Sequence, residues 1–302
     1  MQLLQQTLKK DYLFEGKGLH TGKYTKMTIS PAPEDYGIRF IRTDLGEGYE
    51  LEALADYVCN TARSTTISDG KTTAITIEHI MSALTGLGVD NARIELDNEE
   101  VPILDGSAKP YIDAIYPDGL VEQSAKRHYI ELDRVIEMEG NNGSIVRIEP
   151  ADEPSYDITI DFNSRVLGVQ TAHWDDNVSY AKEIGVCRTF VFFHELQYLY
   201  SNNLVRGGDV DNAIVIVEHP VTDDQVNHMA SLFNMPVLEV TPEGYLSNLV
   251  LRFPNECARH KLLDLIGDIR LCGGFLKAKV TAIKSGHGVN TRTAKAIRDI
   301  LK

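Results

Sequence analysis

The segment Arg259-His260-Lys261-Leu262-Leu263-Asp264-Leu265-Ile266-Gly267-Asp268 constrains this chain more than any other. His260 and Asp264 are four residues apart. On a helix both side chains therefore stand on one face, one turn above the other. Leu262, Leu263, Leu265 and Ile266 around them suit a buried face. The segment reads as a helix that carries an imidazole and a carboxylate at the edge of a core. A bound metal is one reason for such a pair, because His nitrogen and Asp oxygen are ordinary Zn²⁺ ligands. A histidine near a helix start beside a surface aspartate is the plainer reading of the same spacing.

A second segment, Thr76-Ile77-Glu78-His79-Ile80 onward to Gly88, also reads as a helix. Thr76 is the expected cap, Ile80, Leu84 and Leu87 follow at helical spacing, and Gly86 and Gly88 mark the stop. The adjacent Glu78 and His79 suit a hydrolytic metal site. The His binds the metal and the Glu handles the proton of the water. This is not an HExxH motif, since neither position 82 nor 83 holds a second His. By itself the pair also fits a charged helix start. His287 lies between Gly286 and Gly288, just after the strand-like run 278–283. A tight glycine loop lets backbone approach a substrate, which makes His287 a candidate general acid, though a plain loop histidine looks the same. Asp268, one turn beyond Asp264, is placed to orient it. Together these give three ligands (His79, His260, Asp264), a base (Glu78), an acid (His287) and its orienter (Asp268), a set for metal-assisted hydrolysis.

A chain of 302 residues is expected to form two domains. Its net charge of −14 argues against a generic nucleic-acid binder but leaves room for a local basic pocket. Cys59, Cys187, Cys257 and Cys272 are scattered with no CxxC pair, so neither a thiolate metal site nor a disulfide framework is expected. A reducing cytoplasm is the simplest fit. Residues 1–10 lack an apolar core and no run approaches eighteen apolar residues, so neither a signal peptide nor a membrane span is expected.

Along the chain, strands are expected at 26–30 and 38–41, a helix at 77–86, a strand at 91–96 and a helix at 108–115. The polar stretch 117–127 marks the expected boundary between domains 1–124 and 125–302. Strands follow at 129–132, 144–148 and 156–162, then a small βαβ unit over 190–217. The stretch 219–256 is polar and mixed, with Pro220, Pro236, Pro242 and Pro254. Helices are expected at 257–272 and 291–301. The repeat of Val89-Asp90-Asn91-Ala92 as Val210-Asp211-Asn212-Ala213 hints at duplication.

The chain resembles the zinc-dependent UDP-3-O-acyl-N-acetylglucosamine deacetylases of lipid A (lipopolysaccharide) biosynthesis. The matching pieces are Gly18-Leu19-His20-Thr21-Gly22, Thr76-Ile77-Glu78-His79, Asp105-Gly106-Ser107-Ala108, Cys187-Arg188-Thr189-Phe190, Val210-Asp211-Asn212-Ala213, Arg259-His260-Lys261-Leu262-Leu263-Asp264 and Ser285-Gly286-His287. They occur in the family's order and cover nearly the whole chain. The resemblance implies an α+β fold of two similar domains, each a sheet on two helices, with the helix layers facing each other. It implies Zn²⁺ held by His79, His260 and Asp264, with Glu78 as base and His287 as acid or electrostatic stabiliser held by Asp268. Thr189 would donate to the oxyanion and Lys261 would contact substrate. The βαβ unit would carry the 3-O-acyl chain past Phe190, Phe193, Leu196, Val210, Val215 and Leu19, each of which also reads singly as ordinary core. Phe162 and Lys284 would sit near the nucleotide. The implied setting is the cytoplasm of a Gram-negative-type bacterium.

Two departures stand out. Asn163-Ser164-Arg165 replaces an Asn-His-Pro-like turn. Ser144 stands where some relatives carry a phosphate-binding Lys, with Arg147 as its candidate replacement. The long stretch 222–256 is similar to a subgroup fused to a β-hydroxyacyl-acyl-carrier-protein dehydratase. Two rival readings remain: a zinc amidase of another N-acetyl sugar, and a non-catalytic metal-stabilised binding module.

Overall fold

The computed structural model describes residues 2–202, 204–208, 212–232 and 237–302, with Tyr200 described by its backbone alone. Alternating apolar positions build its two main sheets. In Ser155–Asp161, for example, Tyr156, Ile158 and Ile160 turn inward while their neighbours do not, the period of a strand with one buried face. The first sheet runs in the order Tyr12–Lys17, Tyr24–Pro31, Ala92–Leu96, Ile38–Arg42, Glu50–Glu52. The second runs Ile136–Glu139, Ile145–Pro150, Phe275–Ile283, Ser155–Asp161, Val169–Asp175. Tyr129–Glu131 adds to it, parallel to the start of Phe275–Ile283.

The two orders are the same. In each, the strand that comes last in sequence takes the centre, antiparallel to the second and parallel to the third. The fold is therefore α+β with a repeated unit. The four-residue sequence repeat does not mark this duplication. Val89–Ala92 leads into the central strand of the first sheet, whereas Asn212 and Ala213 precede Ile214–Ile216, outside both main sheets. The true counterpart of Ala92–Leu96 is Phe275–Ile283.

Helices complete each unit. α1 (Glu78–Leu87) crosses into the first central strand and α2 (Lys109–Ile115) follows it. In the second unit the chain first adds Phe190–Phe192, α3 (Phe193–Ser201), a strand Ile214–Ile216 parallel to Phe190–Phe192, and α4 (Asp223–Leu232). α5 (Glu256–Arg270) then makes the equivalent crossover and α6 (His287–Leu301) follows the central strand. α1 and α5 pack on each other, both buried along most of their length. Gly267 of α5 permits this approach. A Cβ there would stand 3.0 Å from the Glu78 carbonyl carbon, closer still to its oxygen, and 3.1 Å from the Ser82 nitrogen. A satellite core under the added segment contains Phe193, Leu196, Val215, Val217, Val226 and Met229.

Three local expectations change. Thr76 does not cap α1. It takes a left-handed φ of 60° and donates from Oγ1 to Glu100 Oε1 at 2.8 Å. α6 begins at His287 rather than near 291, with Gly286 as its N-cap, so the histidine stands on a helix start instead of a free loop. α4 lies inside a stretch read as irregular. Thr222 and Gln225 exchange backbone-to-side-chain bonds at 2.9 and 3.2 Å, a capping box. No helix among the described residues is long and apolar enough to cross a membrane.

Candidate metal centre and active site

The site forms where the first turn of α1 meets the first half of α5. His79, His260 and Asp264 are all buried there, and one ligand atom from each lies within 4.8 Å of the others. Asp264 Oδ1 is 3.6 Å from His79 Nε2 and 3.5 Å from His260 Nε2. The His260 ring has a defined tautomer. Its Nδ1 lies 3.0 Å from the Cys187 carbonyl oxygen, which can only accept, so Nδ1 carries the hydrogen. Burial, more than any neighbouring charge, pushes the His260 pKa down to about 3. The ring is therefore neutral at pH 7 and Nε2 presents a lone pair to the cluster.

Asp264 is set up to ligate as well. Burial works against its charge, but Lys261 and His260 outweigh it and hold the carboxyl well below the usual carboxylate range. Lys261 Nζ donates to Oδ2 at 2.8 Å. Oδ1 is buried and, among the described residues, has no hydrogen-bond partner. A buried carboxylate oxygen with no hydrogen-bond partner, set beside two imidazole nitrogens, is costly unless a cation completes it. Two nitrogens and one oxygen match a Zn²⁺ donor set, so these residues fit the group that the sequence implies.

Proton-handling groups flank the cluster. Glu78 is fully enclosed, and burial raises its pKa against the opposing pull of His287 and His79. Its Oε2 accepts from the Thr65 backbone at 3.0 Å. His287 Nδ1 donates to Asp268 Oδ2 at 2.9 Å, which leaves Nε2 toward the cluster, 4.0 Å from Asp264 Oδ2. Burial alone would lower the pKa of His287. The charge and hydrogen bond of Asp268, with Glu78 and Asp264 behind, reverse this and hold it at about 9. Asp268 is itself fixed by Thr65 Oγ1 at 2.6 Å and Asn290 Nδ2 at 3.0 Å.

Two cavities adjoin this centre. On one side the Phe190 ring faces His260, with centroids 6.5 Å apart. Phe190, Thr189, Leu19, Leu196 and Val215 line a mainly apolar cavity of about 100 Å³. Phe193 is buried in the satellite core next to it, and Val210 lies outside the described residues. On the other side His287 and Lys284 line an open cavity of about 760 Å³ with Ser144, Asn60, Thr61 and Arg292. Lys284 pairs with Asp161 at 2.8 Å. Phe162 stands half-exposed against Phe190 and Phe192, at 5.4 and 5.8 Å. Arg147 does not join this cavity. It pairs with Glu137 and Glu149 on the outer sheet.

Two supporting carboxylates escaped the sequence reading. Glu256 is fully buried and accepts from Arg188 Nε at 2.9 Å and from the Arg188 backbone at 3.1 Å. With the Cys187 carbonyl on His260, this ties the segment carrying Thr189 to α5. Glu100, also fully buried, accepts from the backbones of His20 and Thr21 at 2.9 and 2.7 Å and so clasps loop 18–22. The links to Arg188 and to loop 18–22 span 68 to 80 positions and give no local signal.

Sequence comparison decides the family. A family profile described as UDP-3-O-acyl N-acetylglycosamine deacetylase (LpxC) matches residues 5–233 and 230–299. The chain belongs to this family. It is similar to the bifunctional enzyme LpxC/FabZ of Porphyromonas gingivalis, 41% identical over 299 residues, which are 99% of this chain and 65% of that protein. The LpxC/FabZ of Bacteroides thetaiotaomicron is 38% identical over 98% of this chain and 64% of its own length. A UDP-3-O-acyl-N-acetylglucosamine deacetylase of an Anaeromyxobacter species is 36% identical over 97% of this chain and 88% of its own length. The chain thus spans somewhat less than two thirds of the bifunctional relatives.

Proposed function

We propose that this chain is a zinc-dependent deacetylase. It hydrolyses the 2-acetamido group of a UDP-linked, 3-O-acylated glucosamine and releases acetate, a step of lipid A biosynthesis. One observation carries the reading: an orphaned Asp264 oxygen and two imidazole nitrogens share a point flanked by Glu78 and by His287. Family membership supplies the substrate class. In this reading residues 1–124 bring Glu78 and His79, and residues 125–302 bring His260, Asp264 and His287.

A Zn²⁺ held by His79, His260 and Asp264 would supply Lewis acidity to the reacting carbonyl. Glu78, whose carboxyl is shifted upward by burial, takes a proton from the attacking water. Thr189 donates to the oxygen on which charge develops. His287, kept cationic by Asp268, donates from Nε2 to the leaving amine as the C–N bond breaks. Lys261 holds Asp264 ionised and stands 5.7 Å over the Phe190 ring, toward the substrate side. The acyl chain enters the cavity of Leu19, Phe190, Leu196 and Val215, and the nucleotide takes the open cavity beside Lys284 and His287. Bifunctional relatives suggest a dehydratase as a fused partner.

A closed structural metal site would need a fourth protein ligand. The group found among the described residues has three. The reading is tested by metal analysis combined with acetate release from acylated and unacylated UDP-N-acetylglucosamine. Stoichiometric zinc and strong preference for the acylated sugar are expected. Equal turnover of both sugars would favour an amidase of another N-acetyl sugar, and metal without turnover a binding module.

A further inference from the structure

A third cavity, of about 290 Å³, lies between the ends of α1 and α5 that point away from the metal ligands. A water needs roughly 10–15 Å³, so this space suits a small organic molecule. Two arginines stand on its wall, Arg127 and Arg270. Both side chains are enclosed, and both guanidiniums lie over the Phe275 ring, at 3.9 and 4.3 Å. One carboxylate serves them, and Arg127 holds it. Asp90 Oδ1 accepts from Arg127 Nε at 2.9 Å, and Oδ2 accepts from Arg127 Nη2 at 2.6 Å and from the Gln6 backbone at 2.7 Å. Among the described residues Arg270 is left with one hydrogen bond, from Nη2 to the Val89 carbonyl at 3.3 Å. Its Nε is buried and has no partner among them.

Other acidic groups do not answer this charge. On its other side Arg270 borders a smaller cavity with Asp35 and Glu52. Asp35 accepts from Gln5 at 2.6 Å and Glu52 pairs with Arg39 at 2.9 Å. Asp176 stands exposed on the rim of the larger cavity, where solvent screens it. The carbonyl ends of α1 and α5 favour a cation but do not replace an ion. An enclosed guanidinium without a counter-ion is costly. Burial accordingly lowers the Arg270 pKa, yet a guanidinium stays charged at pH 7. The wall also carries Tyr129, Tyr156 and Trp174, with the Tyr156 and Trp174 rings 5.5 Å apart.

We propose that this cavity is a second ligand site that takes a small organic carboxylate, its head on Arg270 and its apolar body among Tyr129, Tyr156, Trp174 and Phe275. A carboxylate matches the planar donor fork of a guanidinium, and an aromatic body suits aromatic walls. The walls belong to α1 and α5 together, so an occupant favours their docked form.

Trp174 is the single tryptophan of the chain, so its fluorescence reports this cavity and not the metal centre. The zinc-loaded protein is titrated with benzoate, with benzamide as the uncharged analogue and acetate as the head alone. Benzoate should give a saturable change in Trp174 emission and raise Tm. Benzamide and acetate should each bind at least about 10-fold more weakly. Arg270→Met, which keeps an unbranched side chain without the charge, should weaken benzoate by about 10- to 100-fold. Arg270→Lys should retain part of the affinity. A thermal melt and zinc content check that the variants are folded, and if they are not, the wild-type comparison of benzoate with benzamide decides by itself. No saturable response to benzoate, equal binding of benzamide, or an undiminished response in folded Arg270→Met overturns the site. Acetate binding as tightly as benzoate would overturn the assignment of an apolar body.

Discussion

Replacing Gly267 by alanine tests how the two halves of the site are brought together. Helix propensity alone makes this substitution favourable by about 1 kcal/mol. The structure gives the opposite sign. His260, Asp264 and Gly267 follow one another at four and three residues, so they share one face of α5. The new Cβ would stand 3.0 Å from the carbonyl carbon of Glu78 and 3.1 Å from the nitrogen of Ser82. Carbon–carbon contacts rest at about 3.5–4.0 Å, so α1 must retreat by about 0.5–1 Å. The obstacle is backbone, which cannot swing aside. Overpacking of this kind costs about 1–3 kcal/mol. After the propensity gain, a net loss of up to roughly 2 kcal/mol remains, a fall in Tm of up to about 3 °C. The larger effect is on the metal. The displaced carbonyl belongs to Glu78, next in sequence to His79, whereas His260 and Asp264 stay on α5. Metal–ligand distances tolerate only about 0.2 Å. Gly267→Ala should therefore lose zinc affinity far more than stability, read by competition with a chromophoric chelator beside a thermal melt. Wild-type affinity together with an unchanged or raised Tm would refute the view that this close approach positions the ligands.

Further expectations follow from the same geometry. Asp264→Ala and His260→Ala should each lose bound zinc while circular dichroism stays native, and full occupancy by elemental analysis would exclude them as ligands. Glu78→Ala should keep zinc and lose about 10²–10⁴ in kcat, and near wild-type turnover would remove it as the base. In Asp268→Asn the main counter-charge that holds His287 at about 9 is gone while burial still acts, so the pKa falls. Protonated His287 is then lost at lower pH, and the alkaline limb of the kcat profile should move to lower pH; an unmoved limb would show that it reports another group. Val215→Phe should depress kcat/KM for long-chain substrates while sparing the unacylated sugar, and equal losses on both would place Val215 outside the acyl path.

Much of the site was legible because its chemistry is local in sequence. His260 and Asp264 share a helix face by their spacing, and Glu78 and His79 are adjacent, so each half announced itself. That the halves meet was suggested by their complementary chemistry and by family resemblance, not by any local pattern. Periodicity cannot place α1 against α5, and the residue that lets them touch, Gly267, looks like a mild helix defect. α4 was readable in principle, since Thr222 and Gln225 form a capping box ahead of the buried Val226, Met229 and Ala230. Four prolines nearby obscured it. Glu100 and Glu256 were not readable at all, because a buried carboxylate and its distant donors leave no pattern in the chain.

The repeated strand order gives the reason why the seam is where chemistry sits. Each unit crosses to its central strand through one helix, α1 or α5, and covering one sheet's helix layer with the other's buries both. Such a face needs to be apolar for stability, and most of it is. Its polar exceptions bridge the two units: Tyr180 Oη donates to Ser82 Oγ at 2.8 Å, Arg270 donates to the Val89 carbonyl at 3.3 Å, and Thr65 donates to Asp268 at 2.6 Å. The cluster of His79 with His260 and Asp264 belongs to the same set, with one member from one unit and two from the other. Among the described residues, its Asp264 Oδ1 has no hydrogen-bond partner. A cation that completes it would bind only when the units are docked, so by linkage it would stabilise the docked form. Metal affinity and the packing of α1 on α5 are then one equilibrium. A seam substitution far from every ligand should alter zinc binding in proportion to its effect on docking.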